Sequence, residues 1–355
     1  MTGLASVDAH SERGVRNSQP EGIGRVASVE LGAAWNNLGR NVVFADARCR
    51  PIAVFDESVF DDDEPSQYDL DVHAVLDLPG TGTVLTLNHY GMLRGFDITG
   101  TPPGRDGVRK AQPAWTLTFV ADVERAVVVG DRLVGTRPRS EGAAGLVVSE
   151  PLQPPRTDAQ LDLHVQLETE GELTALASLP GDRVAVGGPG RITLASLPPG
   201  ATARKVWGVE VAFRPACFAW DGRLLWAAGS EAPAGEVDDY DWEAMRGGGW
   251  VALDPADGTV TAAGDVPDDV AWGTGGVPFA VLAGAICLAG RRGEVYVINP
   301  RDGTTRQTTA FADRSLGIAH LAAIGDQVLY GYNRGGYRLH AVPAVSVGSL
   351  IARTT

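Results

Sequence analysis

Apolar residues in this chain fall in short runs. Typical ones are Val42-Val-Phe-Ala45, Val84-Leu-Thr-Leu87, Val184-Ala-Val186, Ile286-Cys-Leu288 and Val328-Leu-Tyr330, each followed or preceded within a few residues by Gly, Asp or Asn. Runs this short, bounded by turn formers, read as strands. No segment keeps apolar residues at helical spacing over the ten or more positions that a helix needs. The pattern therefore predicts an all-β chain.

The strands recur as a unit. The clearest element is a short apolar strand in seven copies: Pro51–Asp56, Met92–Asp97, Gly145–Glu150, Arg191–Ser196, Gly249–Asp254, Glu294–Asn299 and Tyr337–Val342. Their spacing averages about 48 residues, the length that four strands with turns require. A second strand precedes each copy, and a first strand precedes that, as in Thr174-Ala-Leu-Ala-Ser-Leu179. Turns such as Asp254-Pro-Ala-Asp-Gly258 and Asn299-Pro-Arg-Asp-Gly303 lead to a fourth strand, with glycine at the left-handed position. They lack the twelve-residue ligand spacing and closing glutamate of a calcium loop.

Seven four-stranded antiparallel units arranged radially predict a seven-bladed β-propeller over residues 25–355, preceded by a polar, flexible leader over 1–24. Arg25–Leu31 is expected to close the last blade as its fourth strand, with the tail from Val345 as its competitor. The stretch Gly293-Glu-Val-Tyr-Val-Ile-Asn-Pro-Arg-Asp-Gly303 resembles the repeat of the YVTN and quinoprotein-like propeller superfamily. That resemblance implies the fold and no particular activity. Leu31-Gly-Ala-Ala-Trp35 followed by Val42-Val-Phe-Ala-Asp46 resembles the first blade of gluconolactonase and regucalcin-type lactonases. That family carries a metal-binding glutamate just before the tryptophan, where this chain has Ala33 and Ala34.

Composition narrows the function classes. The net charge of −14 disfavours nucleic acid and anionic membrane as partners. The three cysteines, Cys49, Cys217 and Cys287, are far apart and form no CxxC pair, which fits a reducing compartment, and Cys217 and Cys287 sit inside apolar runs as buried thiols would. The N-terminus has no apolar signal stretch, and no run approaches the roughly 20 apolar residues of a membrane span, so a cytoplasmic monomer is expected. Catalytic fingerprints such as GxSxG, HExxH or a phosphate-binding glycine loop are absent.

In antiparallel blades the connector from second to third strand lies at the same end as the link to the next blade, here called the upper end. Assigned to it are Arg48, Arg50, Tyr90, Arg137, Arg139, Arg291, Arg292, Asn333 and Arg334, a set suited to a carboxylate or phosphate. The fifth blade carries a long insertion at this end. It includes Asp238, Asp239, Tyr240, Asp241 and Trp242, which suit a lid or a docking arm. His73 and His89, facing each other about a hairpin centred on Thr81, and His320 at the start of a first strand are the candidates for metal or acid–base chemistry. Two functions follow. The first is a binding propeller for an anionic small molecule or a protein partner, with no cofactor. The second is a propeller lyase, cyclase or hydrolase, metal-assisted or not, acting on an anionic small molecule at the channel mouth.

Overall fold

The computed structural model describes residues 7–8, 23–29, 32–37, 41–48, 51–56, 72–88, 91–98, 109–118, 123, 125–137, 145–152, 159–160, 163–168, 172–231, 245–272, 278–291, 294–309, 317–325, 327–334 and 343–346. Strand β1 (Val7–Asp8) precedes the first sheet, formed by β2 (Ile23–Val29), β3 (Gly32–Asn37), β4 (Asn41–Asp46) and β5 (Pro51–Asp56). The second sheet holds β6 (Val72–Leu78), β7 (Thr83–Asn88) and β8 (Met92–Asp97). After the short β9 (Arg109–Lys110) it ends with β10 (Trp115–Thr118). The third has β11 (Ala126–Val129), β12 (Arg132–Arg137) and β13 (Gly145–Pro151), then, past β14 (Ala159–Gln160), β15 (Leu163–Glu168). The fourth comprises β16 (Ala175–Leu179), β17 (Arg183–Gly188), β18 (Arg191–Ser196) and β19 (Arg204–Glu210). The fifth comprises β20 (Phe213–Trp220), β21 (Leu225–Glu231), β22 (Gly249–Leu253) and β23 (Val260–Asp265). The sixth has β24 (Phe279–Leu282), β25 (Ala285–Ala289), β26 (Glu294–Ile298) and β27 (Thr305–Thr309). In the last sheet β28 (Gly317–Ile324), β29 (Gln327–Arg334) and β30 (Pro343–Ser346) are joined by β1, so both ends of the chain meet there.

Each first strand packs on the first strand of the next sheet, from β2 through β6, β11, β16, β20 and β24 to β28, and β28 packs back on β2. This is a β-propeller with four-stranded antiparallel blades. Because a blade is covered on both faces by its neighbours, its middle strands are buried throughout, as in β25 and β26. This is why those strands read as continuous apolar runs rather than alternating ones. The core is a series of seams between consecutive sheets. Phe44 and Phe55 of sheet one stack against Phe96 of sheet two, with centroids 5.3 and 4.7 Å apart. Trp226, Trp250 and Trp272 meet Phe279, Leu288 and Tyr296 between sheets five and six. Burial of each such side chain contributes about 1.5–3 kcal/mol.

The short strands β9 and β14 come from the third-to-fourth connectors of sheets two and three. Each reaches back to lie parallel to the outermost strand of the preceding sheet, β9 on β5 and β14 on β10. They cover part of two otherwise open edges.

The predicted turns form as glycine-closed loops. The Asp254 carboxylate accepts the Ala256 amide at 2.8 Å, Asp257 accepts the Thr259 amide at 2.8 Å, and Gly258 sits at φ +80°. The second turn repeats this with Asn299, Asp302, Thr304 and Gly303 at φ +71°. Hydrogen bonds from the backbone and then the hydroxyl of Thr259 and Thr304 hold the Asp257 and Asp302 carboxyls below their ordinary value of 3.8. A depressed folded value means that the stabilisation is present above pH 3.8 and is lost as pH falls through the lower value. An Asp257→Asn, Asp302→Asn variant is therefore expected to melt below the parent at pH 6, with the gap narrowing as pH drops below 3.8. Thermal melts from pH 6 to 2.5 check this, and a gap independent of pH would refute it.

Sheet one corrects the predicted order. Ile23–Val29 is its innermost strand, paired with β3, and not the fourth strand of the last blade. Val42–Ala45 then belongs to the third strand and Pro51–Asp56 to the fourth. The last sheet takes Pro343–Ser346 as its third strand and Val7–Asp8 as its fourth. The residues read as its third strand, 337–342, lie outside the described residues. The lactonase-like stretch also moves. Ala33 and Ala34 lie fully buried in a second strand, with no carboxylate beside Trp35 on that strand.

Candidate functional site

The upper end is where first strands start, second strands end, third strands start and fourth strands finish. Its described residues on sheets three to six are joined by backbone and side-chain contacts. The carbonyl of Arg125, just before β11, accepts the Thr136 amide at 3.0 Å at the end of β12. The Thr136 hydroxyl is buried without a hydrogen-bond partner. Glu172, just before β16, pairs with Arg214 of β20 across the seam between sheets four and five, with Nη2 and Oε2 2.9 Å apart. The Arg214 side chain is 13% exposed and that of Glu172 37%. The Thr174 hydroxyl donates to the Pro215 carbonyl beside them.

Between sheets five and six the polar contacts are densest. The insertion leaves β21 at Glu231 and returns at Met245. The Glu231 amide donates to the Arg246 carbonyl at 3.0 Å, and the Val266 amide to that of Gly248 at 3.2 Å. The Trp272 indole donates to the Gly247 carbonyl at 2.9 Å. Arg291, 9% exposed, donates through its guanidinium to the carbonyls of Val270 (3.3 Å) and Met245. The Tyr296 hydroxyl donates to Asp269 at 2.6 Å. These contacts clamp the base of the insertion to sheet six.

The arginines assigned to one face are divided. Arg48 lies exposed in the β4–β5 connector, its amide donating to Asp46 at 2.9 Å. With sheet one starting at β2, that connector joins third to fourth strand and so lies at the opposite end, while Arg50 lies outside the described residues. Arg137, half-exposed, ends β12 at the upper end. Arg291 is there too, but its guanidinium holds backbone carbonyls. Asn333 and Arg334 fall in β29, opposite Ile318 and Gly317. Tyr90, Arg139, Arg292 and the whole of Asp238, Asp239, Tyr240, Asp241 and Trp242 lie outside the described residues. Carboxylates share the upper end: Glu172, Glu231, Asp268, Asp269 and Glu294 stand among the arginines. Arg125, Glu172 and Arg214 fall outside the second-to-third connectors in which the sequence concentrates arginine. Their signal is position, one to three residues before or just inside a first strand.

The histidine pairing is corrected. Leu78 is opposite Thr83, which centres the β6–β7 hairpin between Gly80 and Thr81, and Val72 is opposite Asn88 while Ala74 is opposite Leu87. His73 is thus the extra residue of a bulge with no cross-strand partner, and His89 lies outside the described residues. His320 lies inside β28, opposite Gly331, rather than at its start. Among the described residues no group of three or more His, Cys, Asp or Glu side chains is placed to hold a metal ion. Cys217 and Cys287 are buried free thiols. Burial raises both, Cys287 to about 12, so neither is a nucleophile near neutral pH. Arg94 is the buried cation furthest from its ordinary state. Burial lowers it to about 10, and its guanidinium lies 5.6 Å from the Phe55 ring centroid between sheets one and two. Among the described residues no helix is long and apolar enough to cross a membrane.

No protein-family model matches the sequence, and no curated protein matches it. Among solved structures, the chain is similar to the computationally designed Ika8 protein, at 12% identity and a TM-score of 0.53, covering 93% of this chain and 98% of that one. It is also similar to the β-propeller domain of Cps50 (Swd1) from Myceliophteria thermophila, at 12% identity and a TM-score of 0.55, covering 88% and 93%. BamB from Moraxella catarrhalis aligns at 14% identity with a TM-score of 0.49. At 12% identity the likeness to Ika8 and the Cps50 domain shows a shared fold and nothing finer.

Proposed function

We propose that this chain is a non-catalytic binding scaffold, a closed ring of seven blades that docks a protein partner at its upper end through the segment inserted between β21 and β22. The clamped base of that segment carries the reading. Buried contacts from Arg291 and Trp272 hold Met245 and Gly247, where the segment rejoins the sheet. A connector with no task has no need of such an anchor. The segment bears Asp238, Asp239, Tyr240, Asp241 and Trp242, so the complementary partner surface is basic with a pocket for an aromatic side chain. An anionic small molecule at Arg137, Arg139, Arg292 and Arg334 is the competing occupant of the same end.

A photo-crosslinking residue at position 242 would capture the partner, whose affinity is then measured with purified components. An Asp238→Asn, Asp239→Asn, Asp241→Asn variant is expected to bind at least tenfold more weakly, with a shallower salt dependence. Unchanged affinity overturns the proposal. So does a large thermal stabilisation by small carboxylates or phosphates that the triple variant retains.

A further inference from the structure

On the rim of sheet four, toward the upper end of its two outer strands, two cations converge on a glycine. The β-carbon that Gly208 lacks would stand 2.9 Å from both Cε and Nζ of Lys205 and 3.3 Å from Nε of Arg191. Gly208 lies opposite Thr193 in the β18–β19 register, so the Thr193 hydroxyl is on the same side. A bulge brings the lysine there. Leu194 is opposite Trp207 and Ala195 is opposite Lys205, leaving Val206 as the extra residue. Without that insertion Lys205 would project from the other face of the sheet. The strand is held in place by Trp207, buried on that other face, whose indole donates to the Pro255 carbonyl at 3.2 Å.

Among the described residues, neither Arg191 nor Lys205 makes a hydrogen bond or ion pair, and the Thr193 hydroxyl makes none. Glu210 lies opposite Arg191 in the register and is not ion-paired with it. Two unpaired cations brought together over Gly208, in a chain with 14 excess negative charges, repel each other and favour a counter-anion beside them. The arrangement offers a planar fork from Arg191, a point charge from Lys205 and a hydroxyl donor from Thr193. That is the donor set of a tetrahedral oxyanion. We propose that Arg191, Thr193 and Lys205 form a phosphate-binding site on the rim of sheet four, for inorganic phosphate or the phosphoryl group of a larger molecule.

Lysine composition makes the test selective. Lys110 and Lys205 are the only two lysines in the chain. Lysine labelled with carbon-13 at Cε therefore gives two resonances, one of which is an internal control. Inorganic phosphate is titrated at pH 7.5 against chloride of equal ionic strength. The Lys205 resonance is expected to move and saturate while that of Lys110 stays within the chloride control. O-phosphoserine run in parallel separates the two sources: tighter saturation by it assigns the site to a phosphorylated molecule, and tighter saturation by inorganic phosphate assigns it to the free ion. Arg191→Gln is expected to weaken saturation at least tenfold. Gly208→Ala, which places a methyl against Lys205, should do the same. Equal drift of both resonances, a linear response of Lys205, or an unchanged curve in Arg191→Gln overturns the proposal. The fold of each variant is checked by its melting temperature, since both substitutions lie on an exposed outer surface.

Discussion

Replacing Gly248 with alanine is expected to destabilise the protein by about 3–5 kcal/mol, the sum of a strained backbone and a contact that cannot relax. Gly248 has φ +104°, and its added β-carbon would stand 2.0 Å from the Gly229 carbonyl oxygen and 2.6 Å from the carbonyl carbon of Ser230. The obstacle is backbone on the adjacent β21, not a side chain that can rotate away. Gly229 cannot retreat, because it is itself pressed against β20: a β-carbon there would meet the Arg214 carbonyl oxygen at 1.8 Å. Three segments are thus stacked at glycine contact beneath the insertion. Gly284→Ala is the control. It has φ +75° but nothing within 4 Å, so only the left-handed conformation is penalised, at about 1 kcal/mol. Thermal melts should separate the two by roughly 3–5 °C, and equal melting temperatures would show that the stacked contact is not rigid.

What the sequence disclosed about this fold follows from which signals are local. Blades four to six were legible because their turns announce themselves. Asp-Gly pairs close the third-to-fourth hairpins of blades five and six, Pro199-Gly200 lies in that of blade four, and the buried middle strands have no polar face to obscure them. Sheet one was misread because its first hairpin, with Val29 opposite Gly32, has no Asn-Gly or Asp-Gly marker. Gly32 is there for a different reason, since a β-carbon would strike the backbone of Asp46, its partner on the adjacent β4, at 2.3 Å. Shifting that sheet by one strand carried Arg48 to the wrong end of the molecule. The error at His73 has a similar origin. A bulge changes register by one residue, and no residue type at Val72-His73-Ala74 announces it.

The candidate site was less legible still, because charge type is written in the sequence and burial is not. Arg137 and Arg291 occupy corresponding connectors, yet one is half-exposed and the other is enclosed between two sheets. Nothing near Arg291 in the chain reveals this. Its acceptors, the carbonyls of Met245 and Val270, are 46 and 21 residues away. The Glu172–Arg214 pair spans 42 residues and two sheets. Such contacts arise only from the order of blades in the ring, and the repeat specifies that order without specifying which loop side chains meet.

That difference gives Arg291→Met the second large effect. The substitution keeps the aliphatic volume and removes the donors, leaving the Met245 and Val270 carbonyls without their charged partner in a closed space. Hydrogen bonds from charged groups contribute about 1.5–3 kcal/mol each, so a loss of about 3 kcal/mol is expected, against less than about 1 kcal/mol for Arg137→Met. The loss should also be local before it is global. The amides of Glu231 and Val266, held by the Arg246 and Gly248 carbonyls, should exchange hydrogen faster by at least tenfold, while amides inside β17 and β18 keep their rates. Denaturant unfolding and hydrogen exchange test this together. If Arg291→Met unfolds at the parent's midpoint with unaltered exchange at Glu231 and Val266, the guanidinium is not the clamp. The upper end would then have an arginine available for an anion, and the small-molecule reading would displace the docking one.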